Sequence, residues 1–379
     1  MTGLVMAAVV LAACEEAPSL PGIQVDTLPS GRVVVANPDV PLAPDGPPLR
    51  LVEELRIGSV DGGCDAFGSV VAMAEDEAGR IYVADFRNDE ISIFTPTGEC
   101  LRSFGGEGEG PGEFRMLSGI AWQPPGFLWA KDPLNDRLTV FDSLGAVLVT
   151  HTLERSLSAS IPWRGSVDRQ GHLHDFVLSR VVHIKYGIGP DLVVLDTLPA
   201  PETPVPEPPT YTQTSGGIAM MSYLPHSPDG LWAVDHDGHI WRARTDLFEL
   251  HETTYDGDTL RTVRLARSPE RLEGRERDSI AAATGVRASQ LPETKEVLGA
   301  IYPGADGWTW VSRVSVDRGP VDLFDVFDER GRYLGPVSSP VPIELTTTPV
   351  FGSGTVLAVT EDELGVQYIV RLPVRPLQE

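Results

Sequence analysis

The sequence predicts an all-β fold: a six-bladed β-propeller of four-stranded antiparallel blades, with an N-terminal strand closing the last blade and one short helical insertion. Three observations carry that prediction. Glycine and proline, 38 and 33 of the 379 residues, are spread along the chain as turn punctuation between many short strands. Between those turns, apolar and polar residues alternate with period two, as in strands whose two faces differ. Finally, the pattern repeats. A turn glycine followed by an apolar strand stands at Gly79, Gly126, Gly171, Gly230, Gly307 and Gly354, at intervals of 47, 45, 59, 77 and 47 residues. A four-stranded blade takes about 40–50 residues.

The first copy is the clearest, with strands predicted over 70–74, 81–85, 91–95 and 101–104. The second repeats it over 125–132 and 138–145. Residues 50–57 have strand character but no blade of their own, so they are assigned as the outer strand of the last blade, which hides an edge that would otherwise invite aggregation. Two insertions interrupt the copies. Residues 196–217, rich in proline, read as an outer strand and crossing. Residues 268–296 read as helical, with Ser268 as cap, Pro269 in the first turn and Gly285 at the end, and are expected to cover part of the central funnel.

The N-terminus carries an address. Residues 4–13 form an uninterrupted apolar run ending in Leu11-Ala12-Ala13-Cys14 and followed by Glu15-Glu16. Ten residues are too few to cross a bilayer and suit the core of a signal peptide. The ending resembles the lipobox of bacterial lipoproteins. That resemblance implies cleavage before Cys14, lipidation of its sulfur, and a body held at the cell envelope, facing periplasm or exterior, through lipid alone. The organisation is then 1–14 signal peptide, 15–48 flexible tether and 49–375 propeller. Cys64 and Cys100 are read as free thiols, because the strand map sets them near opposite ends of the first blade and a disulfide needs Cα atoms within about 7 Å. The 54 acidic residues outnumber the 30 basic ones, for a formal net charge of −24. Such a surface repels phosphate backbones, and no nucleic-acid partner is expected.

Two stretches resemble a known repeat. Asp85-Phe86-Arg87-Asn88-Asp89-Glu90-Ile91 and Asp132-Pro133-Leu134-Asn135-Asp136-Arg137-Leu138 are similar to the Asp, then Asn, then strand signature of NHL repeats. The run from Phe104 through Gly105-Gly106-Glu107-Gly108-Glu109-Gly110-Pro111-Gly112-Glu113 to Phe114 looks like the Gly-rich crossing between NHL blades. The resemblance is to NHL-repeat six-bladed propeller lipoproteins of bacterial envelopes. It is close over 68–145 and looser to 372, and the third and sixth copies lack the Asp–Asn pair. That pair is read as turn caps. The Gly-rich crossing has no Lys-Ser/Thr end, and its glutamates would repel phosphate.

Two functions compete. The preferred one is a non-catalytic scaffold that binds an envelope protein, a peptide or a carbohydrate. The alternative is a propeller hydrolase or lyase with an axial metal ion, lactonase-like or amidating-lyase-like. No catalytic residue is assigned, since no Gly-x-Ser-x-Gly elbow or Cys–His pairing is visible. No metal or cofactor is assigned either. His172, His174 and His226 map to turns between first and second strands, away from the usual ligand face. His236 and His239 map to that face from one blade only, whereas a catalytic ion needs converging ligands. Asp235-His236-Asp237-Gly238 offers too few oxygens for calcium. Candidate residues of the funnel rim are Arg115, Trp163, Lys185, Tyr186, His236 and Arg313, cations and aromatics suited to an anionic or sugar-like ligand.

Overall fold

The computed structural model describes residues 22–43, 48–153, 162–163, 165–177, 182–187, 192–199, 210–215, 218–314 and 319–376. Cys14 and the signal peptide lie outside the described residues. Those described are all-β apart from the helix Gly274–Thr284 and a single 3-10 turn, Ala288–Gln290.

The first sheet runs Val70–Glu75, Ile81–Asp85, Glu90–Phe94 and Cys100–Gly105, each strand antiparallel to the next. Its second strand is buried at every position while the fourth is exposed or half-exposed throughout, so the apolar run is continuous inside and broken outside. The same order recurs in Gly119–Gln123, Phe127–Asp132, Arg137–Asp142 and Val147–Thr152. It recurs again in Ser166–Val167, His172–Val177, Val182–Gly187 and Val193–Pro199. A separate hairpin, Thr210–Ser215 with Ile218–Tyr223, follows. Next come Gly230–Val234, Ile240–Arg244, Glu249–Thr253 and Thr259–Leu265, then Ala300–Pro303, Thr309–Ser312, Val321–Phe327 and Tyr333–Ile343. Val350–Phe351, Thr355–Glu361 and Gln367–Pro376 end the chain's sheets. Consecutive four-stranded antiparallel sheets of this kind are the arrangement expected of a β-propeller.

The closing strand is where the sequence placed it. Leu55–Ile57 pairs antiparallel with Gln367–Pro376, Ile57 opposite Ile369. One core then runs through the seam: Ile57, Val70, Met73, Val83, Phe94, Leu357 and Ile369 form a single buried cluster drawn from the first and last sheets. The Thr347 hydroxyl donates to the Val70 carbonyl at 2.6 Å and Gln367 Oε1 accepts from the Val70 N–H at 2.8 Å. Leu49–Leu51 pairs with Gln367–Pro376 and, at Arg50, with Ser338 of the preceding sheet, joining the two.

Four expectations need correction. The stretch 15–48 is not all tether: Gln24–Thr27 and Val33–Asn37 form a hairpin, and Val33–Asn37 lies parallel to Thr259–Leu265 as a further strand of that sheet. The run Val33-Val34-Val35 is β-branched and suits a strand, and Asn37 fixes it by donating to the Gly331 carbonyl at 2.9 Å and accepting from the Tyr333 N–H at 2.9 Å. Cys64 and Cys100 are bonded, with Cα atoms 6.4 Å apart. Leu55 and Ile57 lie against Gly98, in the turn just before Cys100, and the excursion from 58 to 67 stays beside that turn, with Cys64 and Phe67 packed on the seam cluster.

The fourth copy was placed one strand too early. Gly230 opens the innermost strand, and the turn to the second strand is Asp235-His236-Asp237-Gly238, with Gly238 at φ +79°. It has the construction of Asp76–Gly79 and Asp168–Gly171: the aspartate carboxylate accepts backbone N–H groups across the turn, and the glycine takes the left-handed conformation that other residues adopt at a cost. With Gly238 in place of Gly230 the intervals become 47, 45, 67, 69 and 47, and the two long ones contain the separate hairpin and the helix. The helix itself starts at Gly274 rather than at Pro269, because 271 is held in an extended bridge to Thr294; it ends as predicted at Gly285, φ +72°. Hairpin and helix pack on each other through Leu224, Leu272 and Leu291, flanked by Tyr211, Ile280 and Val286.

Candidate functional site

The repeated aspartates of the second-to-third-strand turns are structural. Asp85 accepts from the N–H groups of Gly68, Ser69 and Arg87 at 2.6, 3.0 and 2.9 Å, and Asn88 Nδ2 donates to it at 2.9 Å. Asp132 does the same for Arg115 and Met116, with Asn135 Nδ2 at 2.6 Å. Each aspartate thereby ties its own turn to the chain entering the sheet's first strand. The Gly-rich crossing is closed in a similar way: the Gly108 N–H donates to Phe114, whose fully buried ring joins the core.

The candidate rim does not assemble. Trp163 and Tyr186 are buried, 4% and 7% exposed, in a core shared with Trp129 and Leu173. For Trp163 the reason is the carboxylate it meets. Trp163 Nε1 donates to Asp175 at 2.7 Å, and Lys131 Nζ binds both oxygens of that carboxylate at 2.9 and 2.7 Å, a buried triad joining two sheets. Lys185 lies over the Tyr255 ring at 5.7 Å. Arg313 is spent on Asp325, Nε and Nη2 each at 3.0 Å. Asp325 is wholly buried; burial alone would raise its carboxyl, but Arg313, Arg267 and Tyr333 hold it below the ordinary range. Arg115 is exposed beside Glu109 at 3.4 Å.

His236 belongs to the opposite end from the one expected, because 235–239 joins a first strand to a second. His239 moves with it. His226 also changes place: it sits in the crossing that precedes Gly230, its Nδ1 2.6 Å from Glu296. Two turns from different sheets therefore meet. The Arg169 N–H donates to the His236 carbonyl at 2.7 Å, its Nη2 donates to the Ala305 carbonyl at 2.9 Å, and its guanidinium pairs with Asp237. One arginine thus ties together turns of three sheets. They border a cleft of about 110 Å³ that is also lined by Asp235, Trp241, Glu252, Arg261, Thr309 and Glu329. Burial pushes the His236 imidazole below its ordinary value, and the Arg169 charge adds to this.

Beneath the Asp168 turn lies a chain of imidazoles. Asp168 Oδ2 is 2.9 Å from His172 Nδ1 and 3.0 Å from His174 Nε2, and His174 Nδ1 is 3.3 Å from His183 Nε2. His183, 1% exposed, has no partner for Nδ1 and rests against Tyr255 and Trp232.

Sequence reasoning missed Arg169, Asp175, Glu252 and Asp325. Two of them left a signal: Asp175 and Asp325 are carboxylates in the middle of apolar strands, where a charge stays only if it is paired. Arg169 and Glu252 left none, since their partners are 68 and 13 residues away.

No family model and no curated protein matches this chain. Among solved structures it is similar to a protein of Bacteroides fragilis described as exported, at 11% identity and a TM-score of 0.49 over 91% of this chain and 100% of that one. It is also similar to a streptogramin B lyase, at 12% identity and 0.47 over 86% and 98%. A third likeness is to virginiamycin B lyase from Staphylococcus aureus, at 10% identity and 0.40 over 87% and 89%.

Proposed function

We propose that this chain is a six-bladed, NHL-like propeller, lipid-anchored at the cell envelope through Cys14, that acts as a protein-binding scaffold rather than as an enzyme. One observation carries the reading. The N-terminal arm pairs with the outer edge of the sheets at 230–265, 300–343 and 350–376, whereas among the described residues nothing pairs with the outer strands of the first three sheets, which carry apolar side chains. Leu101, Leu148, Val193, Val194 and Leu195 are each about half exposed. Uncovered edge strands with consecutive apolar residues are what proteins normally blunt, and a patch left open marks a docking surface. The polar side supports the same reading. The buried cations Lys131 and Arg267 and the turn aspartates Asp85 and Asp132 are engaged in structural bonds. The Cys64–Cys100 disulfide agrees with export to an oxidising compartment.

The test is a pair of surface substitutions, Leu148→Glu and Val194→Glu, in the full-length lipoprotein. Both positions are exposed, so folding stability should change by no more than about 0.5 kcal/mol. Crosslinking in intact envelopes should give a discrete adduct with the parent protein and none with the double variant. An adduct that survives both substitutions would show that the bare edges are not the docking surface.

A further inference from the structure

We propose that Asp235, His239 and Glu252 form a binding site for a divalent metal ion of the zinc class. The residues come from one tight turn and the third strand of the same sheet, and one ligand atom from each lies within 4.8 Å of the other two. His239 Nδ1 stands 3.0 Å from Glu252 Oε1 and 3.7 Å from Asp235 Oδ2. Bonds of about 2.0–2.2 Å to a shared zinc ion would put neighbouring donors roughly 3–3.5 Å apart, so small side-chain shifts suffice.

The surroundings fit an ion better than a closed polar network. Asp235 Oδ1 accepts the N–H groups of Asp237 and His239 at 2.9 and 2.8 Å, and Trp241 Nε1 donates to Oδ2 at 3.0 Å. The carboxylate is therefore oriented as metal-bound carboxylates are, by donors behind it. Glu252 is 7% exposed, yet its Oε2 accepts no hydrogen bond; Arg261 Nε is 3.1 Å away as a charge neighbour only. Buried carboxylates are costly unless cations answer them, and here Arg261 answers Glu252 while no guanidinium is paired with Asp235 among the described residues. Two carboxylates against one guanidinium leave a negative charge for a dication to neutralise. The cleft is lined by Asp235 and Glu252, so three protein ligands would leave a further coordination position for water or a ligand group. This site is independent of the docking surface, which lies on the outer strands.

The experiment uses untagged full-length protein, stripped with a chelator and titrated with zinc by calorimetry, with cobalt as a spectroscopic probe. One ion per chain is expected, with quenching of the Trp241 fluorescence by cobalt. His239→Ala and Glu252→Gln should each weaken binding beyond the 10–100-fold or so typical of changes behind the ligands, while His251→Ala, on the same strand as Glu252, should leave it unchanged. If a ligand variant fails to fold, the Trp241→Phe protein decides: loss of the cobalt-quenched signal with stoichiometry kept supports the site. Absence of stoichiometric zinc, or affinity equal to the parent in both ligand variants, would overturn it.

Discussion

Acid should destabilise the fold through the buried imidazole chain, and His183 allows the size of the effect to be worked out. Burial pushes its imidazole down to about 3 from an ordinary 6.5, and the charges of His174 and Lys185 add to the shift. Above pH 6.5 the ring is neutral whether the chain is folded or not, and the proton plays no part in stability. As pH falls below 6.5 the unfolded chain takes up a proton that the native site refuses, so stability is lost at about 1.4 kcal/mol per pH unit down to about pH 3. At pH 4.5 the loss is roughly 3 kcal/mol, and the limit is about 5 kcal/mol. Replacing His183 by Phe keeps a ring against Tyr255 and Trp232 and removes the titration. At pH 7.5 the variant should be weaker by about 1 kcal/mol, the loss of the 3.3 Å contact to His174. At pH 4.5 it should be the more stable protein by roughly 2 kcal/mol. Urea unfolding followed by tryptophan fluorescence at both pH values gives the two differences, and the many carboxylates that also titrate cancel between parent and variant. Parallel stability profiles for the two proteins would refute the reasoning.

Two further outcomes follow from bonds across sheets. Lys131→Met strands Asp175 as a buried charge and should cost about 3–5 kcal/mol, while the double change Lys131→Met with Asp175→Leu should recover most of it; both are read from denaturant midpoints. Cys64→Ser should cost about 3–4 kcal/mol for a loop of 36 residues, and because the bond lies beside the seam between first and last sheets, proteolysis at 58–69 should appear in the variant first.

What the sequence made legible was local. The strands of the first two copies follow from period-two alternation bounded by Asp and Gly turns, and those of the first lie within a residue of their predicted bounds. The closing strand was visible because 50–57 had strand character and no copy to join. The fourth turn was misplaced because Asp229-Gly230 and Asp237-Gly238 look alike at short range, and only pairing shows that Gly230–Val234 has no strand inside it. Trp163 and Tyr186 looked like rim residues because aromatic and cationic types are common at binding sites. Trp163 is held by Asp175 and Lys131, 44 residues apart, meeting across two sheets, and Tyr186 packs in the same core. The disulfide was misjudged for the same reason: strand order along the chain says little about how the outer strand of one sheet lies against the turns of the next in a strongly twisted stack.

The N-terminal arm links these points into one mechanism. A propeller needs some strand to close its ring, and here the closing strand Leu55–Ile57 is preceded by segments that go on to shield the edges of two other sheets. Closure and edge protection are therefore coupled through about thirty residues of one arm. Among the described residues the first three sheets receive none of that cover, and their outer strands keep half-exposed valines and leucines, as the arm's own first strand does at Val25. An arm that merely tethered the body would leave every perimeter alike. One that pairs with three sheets leaves, among the described residues, some outer strands with a partner beyond them and others without one.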